Sequence, residues 1–116
     1  MVINWIVKEF ADLSSLELYQ ILQLRINVFM LEQECLYPEC DDKDLKGRHL
    51  MGIMDGKVVA YARLLPHHVT YPDVSIGRVV VCPSKRHLKL GTVLMQEAIS
   101  NMHKYFPGEA IRISAQ

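Results

Sequence analysis

The apolar and polar positions along the chain predict strands and helices in alternation. Strands are predicted over residues 4–10, 49–54, 58–65, 74–81 and 110–114, where β-branched or alternating apolar runs end at turn residues. Helices are predicted over 15–32 and from 92 to about 105, since apolar residues recur there every three or four positions. The order β-α-β-β-β-α-β ends in a strand–helix–strand unit, which makes part of the sheet parallel. The expected fold class is therefore α/β with a mixed sheet.

Local signals mark where these elements begin and end. Ser14 and Glu17 have the three-residue spacing of a capping box in front of the first helix. Asp55 and Gly56 are typical of the two-residue turn of a hairpin, so the strands on either side should pair antiparallel.

Composition and charge exclude several classes of protein. The chain has 116 residues, of which 50% are hydrophobic and 22% charged, and this is typical of one globular domain over 1–116. Its 13 basic and 13 acidic side chains leave no net charge, so neither nucleic acid nor a membrane is an expected partner. No apolar run approaches the roughly 20 residues that cross a bilayer. Three cysteines are an odd number for a disulfide framework, which favours a reduced, cytoplasmic protein.

A basic loop stands between the strand at 74–81 and the second helix. Lys85, Arg86, His87 and Lys89 surround a helix start, where unsatisfied N–H groups and the helix dipole attract anions. Gly91 would let a ligand approach the backbone closely. The loop therefore predicts a phosphate or pyrophosphate site, with a solvated basic turn as the alternative. It matches neither a Walker A loop nor a dinucleotide fingerprint.

Residues 86–91, Arg-His-Leu-Lys-Leu-Gly, resemble the Arg/Gln-x-x-Gly-x-Gly/Ala pyrophosphate loop of the GNAT superfamily of acyl-CoA N-acyltransferases. Lys89 departs from that pattern, which usually has its first glycine there. Further blocks resemble the ElaA-type branch of the superfamily, at 24–33, at 35–41 with Asp44 and His49, and at 60–65, 76–79 and 115–116. The resemblance implies a GNAT-like fold that transfers the acetyl group of acetyl-CoA to a primary amine of a small molecule or protein by direct attack.

The resemblance also implies where acetyl-CoA binds. Two neighbouring parallel strands separate in this superfamily, and the pantetheine arm lies between them. Val79 and Val81 would bond that arm through their backbone, and Gly77 is the expected position of a bulge. The pyrophosphate would be held by the loop and the helix start, comprising Arg86, His87, Leu88, Lys89, Leu90, Gly91 and Thr92.

The catalytic candidates come from segments that should border the same cleft. A backbone N–H near Val79 or Val80 would stabilise the oxyanion, and Val80 is the residue we expect to donate it. Glu34, His49 and His67 are candidates for the general base, and each could instead be a structural or surface residue.

Charged residues supply the candidates for acceptor binding. Glu39 and Asp41 belong to an acidic loop that would attract a cationic amine, or that is simply solvated. Arg63 and Arg78 lie within apolar strands, where an unpaired charge is costly. Each is expected either to pair with a carboxylate such as Glu32 or Asp44 or to meet a substrate carboxylate in the cleft, with pairing preferred for Arg78 and cleft lining for Arg63.

Three rival interpretations remain at this level. Cys35, Cys40 and His49 could form a zinc-binding module, although their spacing is long for structural zinc. Cys82 could act as a covalent nucleophile, without a partner at a characteristic spacing. In the superfamily a helix and two strands follow the position of residue 116, so this chain is expected to be a C-terminally incomplete acetyltransferase domain, with an inactive or interaction-only fragment of such an enzyme as the alternative. The edge strand 110–114 would then pair with another chain, giving a homodimer.

Overall fold

The computed structural model describes residues 2–32 and 40–114. Its five strands are β1 (Asn4–Glu9), β2 (Arg48–Met54), β3 (Lys57–Leu65), β4 (Val74–Val81) and β5 (Ile111–Ile113). Its two α-helices are α1 (Ser15–Arg25) and α2 (Leu90–Tyr105). The predicted order of elements is confirmed, and the bounds of β4 agree with the prediction residue for residue.

The strands form one mixed sheet in the order β1-β2-β3-β4-β5. The first four are antiparallel neighbours, and β5 pairs parallel to β4 after the crossover through α2. Asp55 and Gly56 both have positive φ, at 52° and 77°, as the tight turn between β2 and β3 requires. The mixed α/β sheet expected from the sequence is therefore confirmed.

Helices cover the two faces of the sheet. Leu94 and Ala98 of α2 form a core cluster with Ala60 of β3. Ile21 of α1 forms a second cluster with Tyr61, the next residue along β3. Alternate side chains of β3 thus enter opposite cores, which explains why the strand has an apolar run instead of an apolar–polar alternation.

The first helix begins as predicted and ends earlier. The Glu17 N–H donates to Ser14 Oγ at 3.0 Å and the Ser14 N–H donates to Glu17 Oε1 at 2.8 Å, which completes the capping box. The prediction of one α-helix to residue 32 is wrong, because Ile26–Glu32 forms a wider π-helical turn after Arg25. Apolar spacing cannot separate these two helix types.

The second helix and its loop also differ in detail from the prediction. Pro83–Leu88 is a 3₁₀ helix, and α2 begins at Leu90, two residues before the predicted start. Gly91 and Thr92 consequently lie in its first turn. Within the described residues, no helix is long and apolar enough to cross a membrane.

A β-bulge interrupts β4 between Gly77 and Val80. The register against β3 shifts by one residue there, and Arg78 adopts a left-handed φ of 52°. The extra residue inverts the alternation of side chains, so Ile76 joins the core under α2 whereas Val80 joins the core under α1. The bulge was expected at Gly77, and its left-handed residue is the neighbouring Arg78.

Candidate active site

Beyond Ile76, one edge of β4 is open. Strands β4 and β5 pair over residues 74–76 and 111–113, and the Ser114 N–H donates to the Ile76 carbonyl oxygen at 2.9 Å. Residues 77–81 continue past this point with no described strand on that side. The separation of the two strands leaves a row of backbone groups that an extended ligand can bond.

The register decides which residues present backbone groups to the open edge. The Cys82 N–H donates to the Val59 carbonyl oxygen at 2.7 Å, which turns Cys82 toward β3. Val80 lies two residues earlier and is turned the same way. Val79 and Val81 alternate with them and face the open edge. The register thus favours Val79 over the expected Val80 as a backbone donor at this edge.

A shallow depression of about 400 Å³ begins where the open edge ends. Val81, Arg86, Lys89, Gly91 and Thr92 line it, so five residues expected to bind a cofactor lie together. A Cβ added at Gly91 would meet no atom within 4 Å, which shows the open space beside the helix start.

The two helix starts differ in how their backbone donors are satisfied. Ser14 caps α1 from within the chain, whereas the side chain of Lys89, the N-cap residue of α2, makes no capping hydrogen bond and the first turn of α2 contains no acidic residue. The first N–H groups of a helix have no partner within the helix. Those of α2 therefore remain for an external anion, beside the basic side chains of the loop.

Lys89 joins the loop to α2 in a left-handed conformation, with φ 57° and ψ 33°. This explains why the related pattern favours glycine at this position. The Lys89 N–H donates to the Arg86 carbonyl oxygen at 3.1 Å, so it does not point at a ligand. What Lys89 offers the depression is its ammonium group.

The other loop residues contribute in different ways. The side chains of Leu88 and Leu90 pack in a core cluster with Met54, so only their backbone groups can contact a ligand. Arg86 is exposed at the rim of the depression, and His87 belongs to the 3₁₀ helix Pro83–Leu88.

Three arginines and two aspartates form a buried network on the α1 side of the sheet. Asp44 Oδ1 accepts hydrogen bonds from Arg25 at 2.9 Å and from Arg63 at 3.0 Å. Asp41 accepts two from Arg63, at 2.9 and 3.1 Å, and one from Arg78 at 3.4 Å. Each arginine is at most 7% exposed. Arg78 pairs with a carboxylate, as expected, and its described partner is Asp41, which was not one of the two named in advance. Arg63 pairs with Asp41 and Asp44 and also borders a cavity.

The network changes the interpretation of Asp41. Burial by itself raises the pKa of Asp41, but hydrogen bonds and charge from Arg63, the Lys43 N–H and the charge of Arg78 outweigh it and hold the pKa below its usual value. The ionised carboxylate is therefore held by arginine, so its attraction for a cationic amine is offset.

His49 is a buried member of the same region, 1% exposed. Its Nε2 lies 2.9 Å from the Asp44 carbonyl oxygen and its Nδ1 lies 2.6 Å from the Tyr61 hydroxyl oxygen. Because a carbonyl only accepts, Nε2 carries the proton and Nδ1 accepts from the Tyr61 O–H. Burial is the main cause that lowers the pKa of His49 and raises that of Tyr61. Both ring nitrogens are thus engaged in hydrogen bonds within the core, as in a histidine with a structural role.

The remaining candidates lie elsewhere. Glu34, Glu39 and Cys35 fall outside the described residues. His67 lies on the loop before β4, where its Nδ1 is 3.0 Å from the Pro72 carbonyl oxygen and its Nε2 is 3.6 Å from Glu109. Over residues 2–32 and 40–114, no three His, Cys, Asp or Glu side chains converge as metal ligands.

A small cavity of about 130 Å³ lies where β4 and β5 separate. Its walls include Asp41, Lys43, Arg63, Gly77, Arg78 and Ser114. Sequence reasoning missed Lys43 and Ser114. Nothing in a local pattern marks them, because the loop before β2 and the end of β5 meet only in the folded chain.

Comparison with known proteins identifies the family. The sequence model of the Acetyltransferase (GNAT) family matches residues 9–114. The chain belongs to this family. Protein ElaA of Escherichia coli is 37% identical over 116 residues, which cover 98% of this chain and 76% of that protein. A UPF0039 protein of Schizosaccharomyces pombe is 46% identical over 105 residues, which cover 90% of this chain and 69% of that protein.

Solved structures agree with the GNAT assignment. The crystal structure of an acyl-CoA N-acyltransferase from Pseudomonas aeruginosa superposes with a TM-score of 0.91 at 40% identity, covering 99% of this chain and 80% of that one. Escherichia coli ElaA superposes with a TM-score of 0.92 at 36% identity, covering 99% of this chain and 79% of that one. The GNAT fold and the ElaA-type resemblance are both confirmed.

Proposed function

We propose that this GNAT domain transfers the acetyl group of acetyl-CoA to a primary amine by direct attack of the neutral amine. The proposal rests on the fact that the open edge of β4 leads directly into the depression at the start of α2. Val81 ends the open edge of β4 and also lines the depression at the start of α2. One extended ligand with an anionic group can therefore use the unpaired backbone and the basic helix start together.

The residues present fit acetyl-CoA. Val79 and Val81 offer backbone groups to an extended amide-containing arm, and α2 offers uncapped N–H groups to the pyrophosphate. Arg86 and Lys89 add positive charge at the rim. When bound, acetyl-CoA supplies a thioester that is activated toward amines.

Two requirements of the reaction fall to the protein. Negative charge that develops on the acyl oxygen needs a preorganised donor, and the Val79 N–H faces the open edge for that role. The attacking amine must also lose a proton, while the sulfur leaving group gains one. Glu34 is the proposed general base, and Glu34→Gln should lower kcat about 100-fold or more without weakening acetyl-CoA binding.

Thermal unfolding with CoA and acetyl-CoA tests the proposal. At about 100 times its dissociation constant a ligand stabilises the fold by roughly 2.7 kcal/mol. For 116 residues this raises Tm by about 10 °C. Replacing Arg86 and Lys89 together by alanine should abolish most of this shift. Replacing the exposed pair Lys46 and Lys104 removes the same charge and should leave the shift unchanged.

The outcomes separate an enzyme from a domain that only interacts. A shift with acetyl-CoA together with CoA release in the presence of an amine supports the acetyltransferase. No shift with either nucleotide contradicts the proposal for this chain. A shift without turnover against any amine would favour the interaction-only alternative.

A further inference from the structure

The small cavity between β4 and β5 is the place from which an acceptor would reach the open edge. Gly77 and Ser114 line it: the Ser114 N–H donates the last described hydrogen bond between the two strands, to Ile76, and Gly77 is the next residue of β4. Val79, the proposed oxyanion donor, lies two residues beyond Gly77. The depression at α2 is lined by a different set of residues, so cofactor and acceptor would occupy separate pockets.

The cavity walls carry more positive than negative charge. Among the described residues that line it, Lys43, Arg63 and Arg78 are cationic, and Asp41 is the single carboxylate. That carboxylate already accepts three hydrogen bonds from the two arginines. Asp44, behind the cavity, is shared between Arg25 and Arg63.

Two of these cationic groups retain donors that no described residue uses. The Lys43 ammonium bonds to no described residue, and only its backbone N–H is engaged, with Asp41 at 3.1 Å. Arg63 is 4% exposed, yet its buried Nε has no acceptor among the described residues. Because that Nε is enclosed, a ligand in the cavity would meet the charge of Arg63 and not this donor, whereas the half-buried Lys43 ammonium can bond the acceptor oxygens of a ligand.

We infer that the acceptor is a small primary amine that also carries a carboxylate, which binds in this cavity against Lys43 and Arg63. The inference rests on the proposed acetyl transfer. The volume of about 130 Å³ equals roughly four water molecules, which suits an amino-acid-sized group. A polyamine would bring like charges to the same walls and is disfavoured. The positive walls also favour the neutral form of an amine held beside them, which is the form that attacks.

Matched acceptors that differ only in the carboxylate test this inference. Free amino acids should be acetylated with kcat/KM at least tenfold above the corresponding amino-acid amides, and spermidine should be poorer still. Lys43→Gln should remove most of the tenfold preference through a higher KM, with kcat little changed. Lys46→Gln, an exposed lysine on the same segment, should leave it intact. Equal or better use of the amides, or a preference that survives in Lys43→Gln, overturns the inference.

A binding measurement without acetyl-CoA keeps this test separate from the proposed function. In the ¹⁵N-labelled chain, amino acids at millimolar concentration should shift the amide signals of Gly77 and Ser114, whereas their amides should not. Shifts confined to Gln23, Asn27 and Cys82, which line a separate cavity of about 500 Å³, overturn the inference. Absence of any shift does the same. Failure of acetyl-CoA to bind contradicts the proposed function, whatever the amino acids do.

Discussion

Replacing Lys89 by glycine should stabilise the fold relative to the same change at Lys85. Lys89 has φ 57° and ψ 33°, whereas Lys85, four residues earlier in the same loop, is not left-handed. Both changes remove one charge and add the same unfolded-chain entropy, so those effects cancel in the comparison. What remains is the cost of the left-handed conformation to a residue with a Cβ, about 1–2 kcal/mol.

Thermal unfolding measures this difference directly. With an unfolding entropy of about 2.1 cal/mol/K per residue, 1–2 kcal/mol corresponds to a Tm about 4–8 °C higher for Lys89→Gly than for Lys85→Gly. Lys89→Ala leaves a residue with a Cβ in the left-handed conformation, so its Tm should not rise. Equal Tm values for the two glycine variants would refute the reasoning. Since the Lys89 N–H already bonds Arg86, the Gly and Ala variants at 89 should weaken CoA binding equally.

Three further predictions concern the fold around the site. Asp44→Asn should lower the free energy of unfolding by about 3 kcal/mol in urea because two buried arginines lose a carboxylate, while Asp42→Asn, at an exposed neighbour, should change it by under about 0.5. The pKa of His49 is lower in the folded chain than in the unfolded chain, so the unfolded chain binds more protons just below pH 6.5. The free energy of unfolding should therefore decrease as the pH falls through this range, by up to about 1.4 kcal/mol per pH unit. His49→Gln should flatten that slope. Gly47→Ala would place a Cβ 2.7 Å from a β3 side chain and 3.0 Å from a β3 carbonyl oxygen, which should cost about 1–3 kcal/mol by chemical denaturation, whereas Gly91→Ala meets open space and should not destabilise.

Local patterns were sufficient for the order of elements. The Ser14–Glu17 capping box, the Asp55–Gly56 turn and the β-branched run of β4 each act through neighbours in sequence. Such signals do not need the rest of the chain. The helix after Arg25 shows their limit, because apolar residues can keep one stripe through an α-helix and a π turn alike.

The candidate site could not be predicted from local patterns, because it is formed by contacts between segments that are distant in sequence. The pairing of Arg63 with Asp41 joins residues 22 positions apart, so an acidic loop and a buried arginine looked independent in the sequence. Choosing Val79 over Val80 required the place of the bulge and the register with β3. Lys89 was marked as unusual only through the glycine of the related pattern, and the structure supplied the conformational reason.

The bulge at Arg78 determines which way the backbone groups of every later residue of β4 face. In an uninterrupted strand, Val80 would present its backbone to the open edge, and Val79 and Val81 would face β3. Straightening the bulge with every residue kept would therefore act on three later positions without altering any of them, whereas deleting Arg78 would remove the extra residue and leave Val80 paired with Tyr61. Straightening would exchange the ligand-facing and sheet-facing backbone groups of residues 79–81 and swap the cores that their side chains enter. The spacing of this strand, more than the chemistry of its valines, defines the binding edge.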